Sequence, residues 1–565
     1  MSSSRFLLGL RRAVAHRARR VLVRARSAFA ERSAAWHRGV PAGYRAVPVH
    51  GHTALARVVP TFASTDVARD TLDALRGALD DAGARFVVLP RRVDGRTVVA
   101  VDGDDVVPLL RAMRSLAEGP EWMVAFGAGW RGWQRSLAAW ARQVGDEPPR
   151  RFVVFRAIAG QQGRLLGTER QGVAVETWRT VHDAPVPRVD GGLHVAGTRV
   201  APVPNESYGY LTPDAWEAAR RGGAEAPGAV PHLFDVTEPV DVVYTWVDGT
   251  DPAWQARMRA VLREVDPTAI NETATSDSRF ATRDELRYSL RSLEMYAGWV
   301  RRVHLVTDRQ VPAWLDTDHP KIRVVDHRDI FSDPSVLPVF NSHAIESQLH
   351  HVPGLADRYL YLNDDVFFGR PVEPELFFEA NGLTKFFLSQ MLLDVDPPSA
   401  RDMPVLSAAK NNRALMEKLF GRTVTTKFKH TPHPQNRQVL EELEEQFPEL
   451  FRQAVTSPFR HPEDISVTSA LHHYYSYATR RAVRGEIRYT YRDISTLTSL
   501  GDLADLVEEP RYDVFCLNDT HLVPGPAADR SVRLLTEFLA AYFPVPSTFE
   551  TTERPIQNGP RRVRK

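Results

Sequence analysis

The segment Arg358-Tyr359-Leu360-Tyr361-Leu362-Asn363-Asp364-Asp365-Val366-Phe367-Phe368-Gly369 is an apolar run interrupted by one amide and two carboxylates. Strands buried on both faces read as continuous apolar runs, and ligands gather at their carboxyl ends. Two acids at such a tip suit a divalent cation, although the same Asn-Asp-Asp group also makes an ordinary turn. Three more polar clusters carry residue types that do chemistry: Asp248-Gly249-Thr250-Asp251, Lys429-His430-Thr431-Pro432-His433 and Phe459-Arg460-His461-Pro462-Glu463-Asp464, with Glu346 upstream of the paired acids. His430 and His433 could be two zinc ligands. No further Cys or His follows at finger-like spacing, so a structural zinc site is not expected there. Carboxylates with Asn or carbonyl oxygens suit Mg2+ or Mn2+, which share their shell with substrate phosphates. That combination points to a nucleotide-type diphosphate.

These clusters need elements to hold them. Residues 240–247 form a strand pattern ending at the acidic tip Asp248 to Asp251. A helix is expected over 284–297, with Leu286, Leu290, Leu293 and Tyr296 on one face and Arg283, Arg287 and Arg291 on another. Strands follow at 303–307 and 322–325, and a helix at 344–351 leads into the Asn-Asp-Asp strand. This alternation predicts a parallel, doubly wound sheet in which Asp248 and Asp364-Asp365 face one crevice. The remainder reads as helical, with helices over 436–451, 464–481 and 530–542. Upstream, residues 46–230 read as a small α/β unit. Ser64-Thr65-Asp66 caps a helix carrying Val67, Leu72, Leu75 and Leu79, and strands are expected at 86–89, 97–101, 123–126 and 152–155. The Gly/Pro/Ala-rich stretch 224–231 reads as a linker.

With 565 residues the chain exceeds one typical core, and 43% hydrophobic with 25% charged residues argues against wholesale disorder. No uncharged apolar run reaches the roughly 18 residues of a membrane-spanning helix. The single cysteine, Cys516, makes no intramolecular disulfide and fits a reducing compartment; it reads as buried and inert. The first 45 residues hold eleven arginines and one acid, Glu31, and the arginines break every apolar segment, so no secretory signal is expected. That leader reads either as a basic amphipathic helix lying on an anionic membrane surface or as a disordered segment. No base-reading fold is evident, so a nucleic-acid partner is not expected.

Six segments, in order, resemble the conserved regions of the Stealth family: Asp241-Val-Val-Tyr-Thr-Trp-Val-Asp-Gly-Thr-Asp-Pro252, Asp284-Glu-Leu-Arg-Tyr-Ser-Leu-Arg-Ser292, Tyr361-Leu-Asn-Asp-Asp-Val366, His430-Thr-Pro-His433, Arg460-His-Pro-Glu-Asp464 and Phe515-Cys-Leu-Asn-Asp519. That family includes bacterial capsular polysaccharide phosphotransferases and the catalytic subunit of the lysosomal-enzyme N-acetylglucosamine-1-phosphotransferase. The resemblance implies transfer of a sugar 1-phosphate from a nucleotide sugar to a hydroxyl of an acceptor oligo- or polysaccharide, with a nucleoside monophosphate released. It implies a Rossmann-like, GT-A-like nucleotide-diphospho-sugar transferase core with helical additions over 236–550; outside the resemblance the residues themselves read as a leader over 1–45, an accessory α/β domain over 46–230 and a basic tail over 551–565. Carried over motif by motif, His430 is the expected base with His433 second, and Arg460 the phosphate-binding cation. Asp365, with Asp364, Glu346, Asn518 and Asp519, is expected around Mg2+ or Mn2+. Asp248 and Gly249 are expected to line the nucleotide pocket, and Arg283, Arg287, Lys410, Asn411, Asn412 and Arg413 to hold diphosphate or acceptor. Asp248 stands where the family pattern favours Asn, and Arg283 where an acidic or Asn residue is usual. The expected setting is cytoplasmic, peripheral on the inner membrane face. A metal-dependent glycosyltransferase releasing a nucleoside diphosphate and an inactive polysaccharide-assembly protein are the alternative functions.

Overall fold

The structure is a computed structural model that describes residues 40–551 apart from short stretches at 50–51, 90–94, 128–132, 184–185, 189–190, 204–207, 223–225, 228, 266–279, 281, 400, 497–502, 504–505, 508–509 and 520–524. Most of the arginine-rich leader, and the basic tail beyond residue 551, lie outside the described residues. No helix among the described residues is long and apolar enough to cross a membrane. The chain divides into two compact units, residues 1–60 with 68–222 and residues 61–67 with 223–565.

The first unit contains a four-stranded sheet and an eight-stranded mixed sheet. The larger sheet is centred on Val173–Thr180, which runs parallel to Val98–Asp102 and antiparallel to Arg151–Arg156. Helices Ser64–Asp81 and Val106–Leu116 lay Leu75, Leu79, Leu109 and Met113 against Val99, Val101, Val154 and Val175. The 3.6-residue spacing of apolar side chains therefore faces one covered side of the sheet.

The second unit is built on a five-stranded sheet. Its strands are β1 (Val240–Thr245), β2 (Val303–Thr307), β3 (Ile322–Asp326), β4 (Arg358–Asn363) and, farther along the chain, β6 (His433–Asn436). They lie in the order β3-β2-β1-β4-β6, the first four parallel and β6 antiparallel to β4. Helices α1 (Pro252–Leu262), α2 (Glu285–Tyr296) and the short α3 (Ser342–Glu346) connect the parallel strands. The expected doubly wound α/β core is present.

Both sheet faces are covered, so β1 and β4 are apolar almost throughout. On one face Val243, Val306, Tyr359 and Tyr361 pack with Val439, Leu440 and Leu443 of α5 (Arg437–Gln446) and with Tyr475 of α7 (His472–Ala478). Toward α2, the Tyr244 hydroxyl and Ser289 Oγ lie 2.8 Å apart, and Ser289 donates to the Val366 carbonyl at 2.6 Å. Asp241, fully buried in β1, is the polar exception. It accepts from Arg301 Nε at 2.8 Å and from the Ala356 amide at 2.9 Å, and its Oδ2 is 3.1 Å from His304 Nε2. Burial works against its ionisation but is outweighed by these partners, and its carboxyl titrates at about 2.

Beyond β4 the chain forms β5 (Val366–Phe368), helix α4 (Pro404–Phe420), helix α6 (Pro448–Thr456), β7 (Tyr489–Asp493), β8 (Val514–Asn518) and helix α8 (Pro526–Tyr542). Strands β5, β8 and β7 make a second small sheet. Three helices differ from the sequence reading. The one expected over 436–451 is two, because Pro448 has no amide hydrogen to continue α5 and instead opens α6. The one expected over 464–481 begins with a π-helical turn, Val467–Leu471, before α7. The one expected over 344–351 is α3 followed by a separate 3₁₀ turn, Leu349–His351.

Candidate active site

Strand pairing brings the sequence clusters to one place. In the parallel β1–β4 pair Thr245 lies opposite Asn363, so Asp248 and Asp364-Asp365 leave the sheet at the same end. Strand β6 runs the other way with His433 opposite Tyr361, which returns His430 to that end. Strand β8 is antiparallel to β5 with Cys516 opposite Val366, and two residues on, Asn518 falls level with Asp364.

Asp365 is the hub. His430 Nε2 lies 3.1 Å from its Oδ1, while Asn518 Nδ2 at 2.6 Å and Cys516 Sγ at 3.3 Å donate to its Oδ2. The side chains of Asp365 and His430 are 14% and 32% exposed, so the pair is screened from bulk water yet open on the imidazole side. Burial disfavours both charges, but each charge supports the other. Asp365 is held below the usual carboxylate range and His430 above the usual histidine range. Cys516, expected to be inert, is buried but in contact with the acid. Burial and the Asp365 charge push its thiol well up, so it stays protonated.

Asp364 faces the opposite problem. Burial raises its pKa well above the ordinary range, and the neighbouring carboxylates of Glu285 and Asp365 raise it further. Arg283 provides compensation at one edge: its Nη2 is 2.7 Å from Asp519 Oδ2 and its Nη1 is 3.4 Å from Glu285 Oε1. Arg283 is thus an internal counter-charge for two acids of the site. Glu285 opens α2 just after Asp284, whose φ of 65° is the left-handed conformation that Asp tolerates better than most residues. The donor set of Asp364, Asp365, Glu285, Asp519 and the Asn518 amide offers oxygens and excess negative charge. That chemistry fits a hard divalent cation. Asp365, His430 and Cys516 also place ligand atoms within 4.8 Å of one another, but a soft thiol with an imidazole suits a zinc-class ion, not a hard cation.

Arg460 lies on the other flank. Its Nη2 donates to Ser342 Oγ at 2.7 Å and its buried Nε has no hydrogen-bond partner. Among the described residues it forms no ion pair with either adjacent acid. Asp464 turns inward instead, accepting from Asn341 Nδ2 at 2.8 Å and from the His461 amide at 2.9 Å. Glu346 is buried, accepts from Ser469 Oγ at 2.6 Å and adds negative charge near His430, Tyr361 and Arg460. His433 lies inside β6, its Nδ1 3.1 Å from His473 Nε2. Burial, with the charges of His473 and His430, holds its pKa well below the usual range, which keeps it neutral.

The remaining predicted residues serve mainly as braces. Asp248 Oδ1 accepts from the Thr250 amide and hydroxyl at 2.8 and 2.6 Å, a closed turn whose backbone is held by Gln310. At Gly249 a Cβ would stand 2.4 Å from the Phe280 carbonyl oxygen, so only glycine fits. Arg287 is neither a free cation nor a solvated one: with Arg291 it clamps Glu550, at 2.6 and 2.7 Å. Lys410 is 3% exposed and paired with Asp394 and Asp402, and Arg413 Nη2 donates to the Asp396 carbonyl at 2.9 Å. Asn411 donates to the carbonyls of Pro462 and Asp464 at 2.8 Å, and Asn412 to that of Ser466 at 2.9 Å. Asn411 and Asn412 thereby fix the loop that follows Arg460, while Lys410 and Arg413 hold the segment 394–402.

Sequence reasoning singled out neither Glu285 nor the Tyr361 hydroxyl, which lies 3.1 Å from Thr245 Oγ1. The position of Glu285 at the head of a helix entering the same crevice was the available signal.

Comparison with known proteins agrees in detail with the order of these elements. Four family models, Stealth protein conserved regions 1 to 4, match residues 238–266, 279–386, 429–477 and 505–560. Relatives include the exopolysaccharide phosphotransferase SCO6023 of Streptomyces coelicolor, 39% identical over 522 residues that cover 91% of this chain and 87% of the relative. The exopolysaccharide phosphotransferase CpsY of Mycobacterium leprae is 35% identical over 500 residues, covering 88% of this chain and 89% of the relative. The 522-residue match is longer than the second unit, so the likeness extends into the first. Among solved structures, the galactosyltransferase LgtC with donor and acceptor sugar analogues aligns with a TM-score of 0.26 at 13% identity, covering 53% of this chain and 96% of that one. Mouse xyloside xylosyltransferase 1 aligns with a TM-score of 0.25 at 10% identity, covering 50% and 98%.

Proposed function

The chain belongs to the Stealth protein family, and from that premise we propose that it is a phosphotransferase of polysaccharide synthesis that moves a sugar 1-phosphate from a nucleotide sugar to an acceptor hydroxyl. The acceptor oxygen forms a bond to the sugar-linked phosphorus, and the diphosphate bridge breaks. The product is a phosphodiester between two sugars, and a nucleoside monophosphate leaves. The observation that carries this reading is the Asp365–His430 pair at 3.1 Å, at the end of the sheet where ligands bind in such folds.

In the tautomer whose Nε2–H donates to Asp365, the Nδ1 lone pair of His430 is the group that takes the acceptor proton. Asp365 stabilises the imidazolium so formed, and Asn518 fixes Asp365 in that orientation. Arg460, free of a carboxylate partner among the described residues, is suited to the non-bridging phosphate oxygens. Glu346 adds its negative charge beside the guanidinium and the Tyr361 hydroxyl on this flank. Asp364 and Asp519, with Asp365, Glu285 and Asn518 around them, are the residues that would hold Mg2+ or Mn2+. Such an ion, when bound, neutralises diphosphate charge in the ground state and on the leaving group. Asp248 and Gly249 shape the wall on which the nucleotide rests. The nucleotide donor and the lone cysteine suit a reducing, cytoplasmic setting.

Product analysis tests the reading. Incubating the protein with a panel of nucleotide sugars, Mg2+ and an oligosaccharide acceptor should release nucleoside monophosphate in proportion to phosphodiester formed. Release of nucleoside diphosphate would assign a glycosyl transfer instead. Full polymer synthesis by the His430→Ala and Asp365→Ala variants would reduce the chain to an assembly protein.

A further inference from the structure

Outside the crevice, two histidines and an acid converge at one point. His350 and His351 follow one another in the 3₁₀ turn Leu349–His351, and the Nε2 atoms of both lie 2.7 Å from the same oxygen, Oε2 of Glu444 on α5. The three ligand atoms lie within 4.8 Å of one another. Adjacent residues in a chain ordinarily point apart, and here the tight turn brings the two rings to a centroid distance of 4.1 Å. His351 is oriented by its other nitrogen, since Nδ1 is 2.8 Å from the Ile330 carbonyl oxygen. A ring nitrogen donating to a backbone carbonyl is the arrangement that presents the opposite nitrogen to a metal. His350 is fully buried against Phe451, while His351 and Glu444 are 28% and 25% exposed, so the point of convergence has one covered side and one open to solvent.

From this geometry we infer that His350, His351 and Glu444 form a binding site for one divalent transition-metal ion of the zinc class, separate from the phosphotransfer crevice. Two imidazoles and a carboxylate are borderline ligands that prefer Zn2+, Co2+ or Ni2+ to Mg2+. Glu441, one helical turn earlier on α5, adds its charge to both histidines, although Arg437 Nη1 holds its Oε1 at 2.6 Å. Water takes the fourth position on the open side. The ion's structural effect is to tie α5 to the turn that precedes β4, the strand ending in Asp364 and Asp365.

The test uses the full-length protein stripped with chelator and titrated with ZnCl2 or CoCl2 alone, read by calorimetry and by the visible absorption of bound Co2+. One equivalent of Zn2+ is expected to bind in the presence of excess Mg2+, accompanied by a rise in the thermal midpoint. His351→Gln and Glu444→Gln each weaken that binding at least tenfold, whereas Asp365→Asn leaves it unchanged. Both substitutions lie at partly exposed positions, and circular dichroism confirms that the variants are folded. Absence of Zn2+ binding to the wild-type protein overturns the inference, as does equal Zn2+ affinity in wild-type protein and both variants. Loss of the bound equivalent in Asp365→Asn alone would also overturn it, because the ion would then belong to the crevice.

Discussion

Replacing His430 with glutamine separates two roles that the proposed mechanism gives it. The glutamine amide can still donate to Asp365, whose other oxygen keeps its bonds to Asn518 and Cys516, so the carboxylate stays in place. What is lost is a group able to accept the acceptor proton. A positioned general base contributes roughly 10²–10⁴-fold, so His430→Gln should lower kcat by about that factor, equivalent to about 3–5 kcal/mol in the barrier, with the donor KM little changed. The wild-type pH profile carries a second signature. The Asp365 charge, outweighing burial, raises the pKa of His430, and the base form prevails only above it. Activity should therefore climb with pH along an acid limb lying above the ordinary histidine value of 6.5, and that limb should vanish in the variant. The assay is nucleoside monophosphate release measured across pH 5 to 9. A variant that keeps more than about a tenth of wild-type kcat and the same acid limb refutes His430 as the base.

Other substitutions probe the supports. Asp241 titrates at about 2 instead of 3.8, and at about 1.4 kcal/mol per pH unit this difference contributes about 2 kcal/mol. Because its folded pKa is depressed, that stability is present above pH 3.8 and is lost as pH falls toward 2. Urea unfolding of Asp241→Asn should show a destabilised protein lacking this part of the acid dependence. Glu550→Gln leaves Arg287 and Arg291 without their carboxylate and should cost about 3–5 kcal/mol in the same measurement. Gly249→Ala forces the Asp248 loop away from the Phe280 carbonyl, and donor KM should rise about tenfold, a loss of about 1.4 kcal/mol, with kcat less affected. Arg460→Lys keeps the charge but removes the planar fork, and kcat should fall at least about tenfold.

The parallel core was readable in the sequence because strands buried on both faces cannot alternate. Val303–Thr307 is buried throughout, its His304 turned inward to Asp241, and residues 240–245 and 358–363 are nearly as uniformly covered. The candidate site was readable where a tip broke such a run, as at Asp364-Asp365. Strand β6 was not, because His433-Pro-Gln-Asn lacks any strand periodicity and is extended through its pairing with β4. The run Lys410-Asn411-Asn412-Arg413 has the residue types of a ligand cluster. Folding into α4 instead turns each of these side chains to an acid or a carbonyl, and no local rule fixes those long-range partners. Glu285 had the look of a helix-opening acid, and only the approach of β4 gives it a second role.

The three contacts that hold Asp365 come from far along the chain, His430 from 65 residues away and Cys516 and Asn518 from 151 and 153. A chain ending before β8 would keep the imidazole partner of Asp365 but lose both groups that hold its Oδ2. C-terminally clipped copies should therefore lose the proposed transfer activity even where the parallel core still folds.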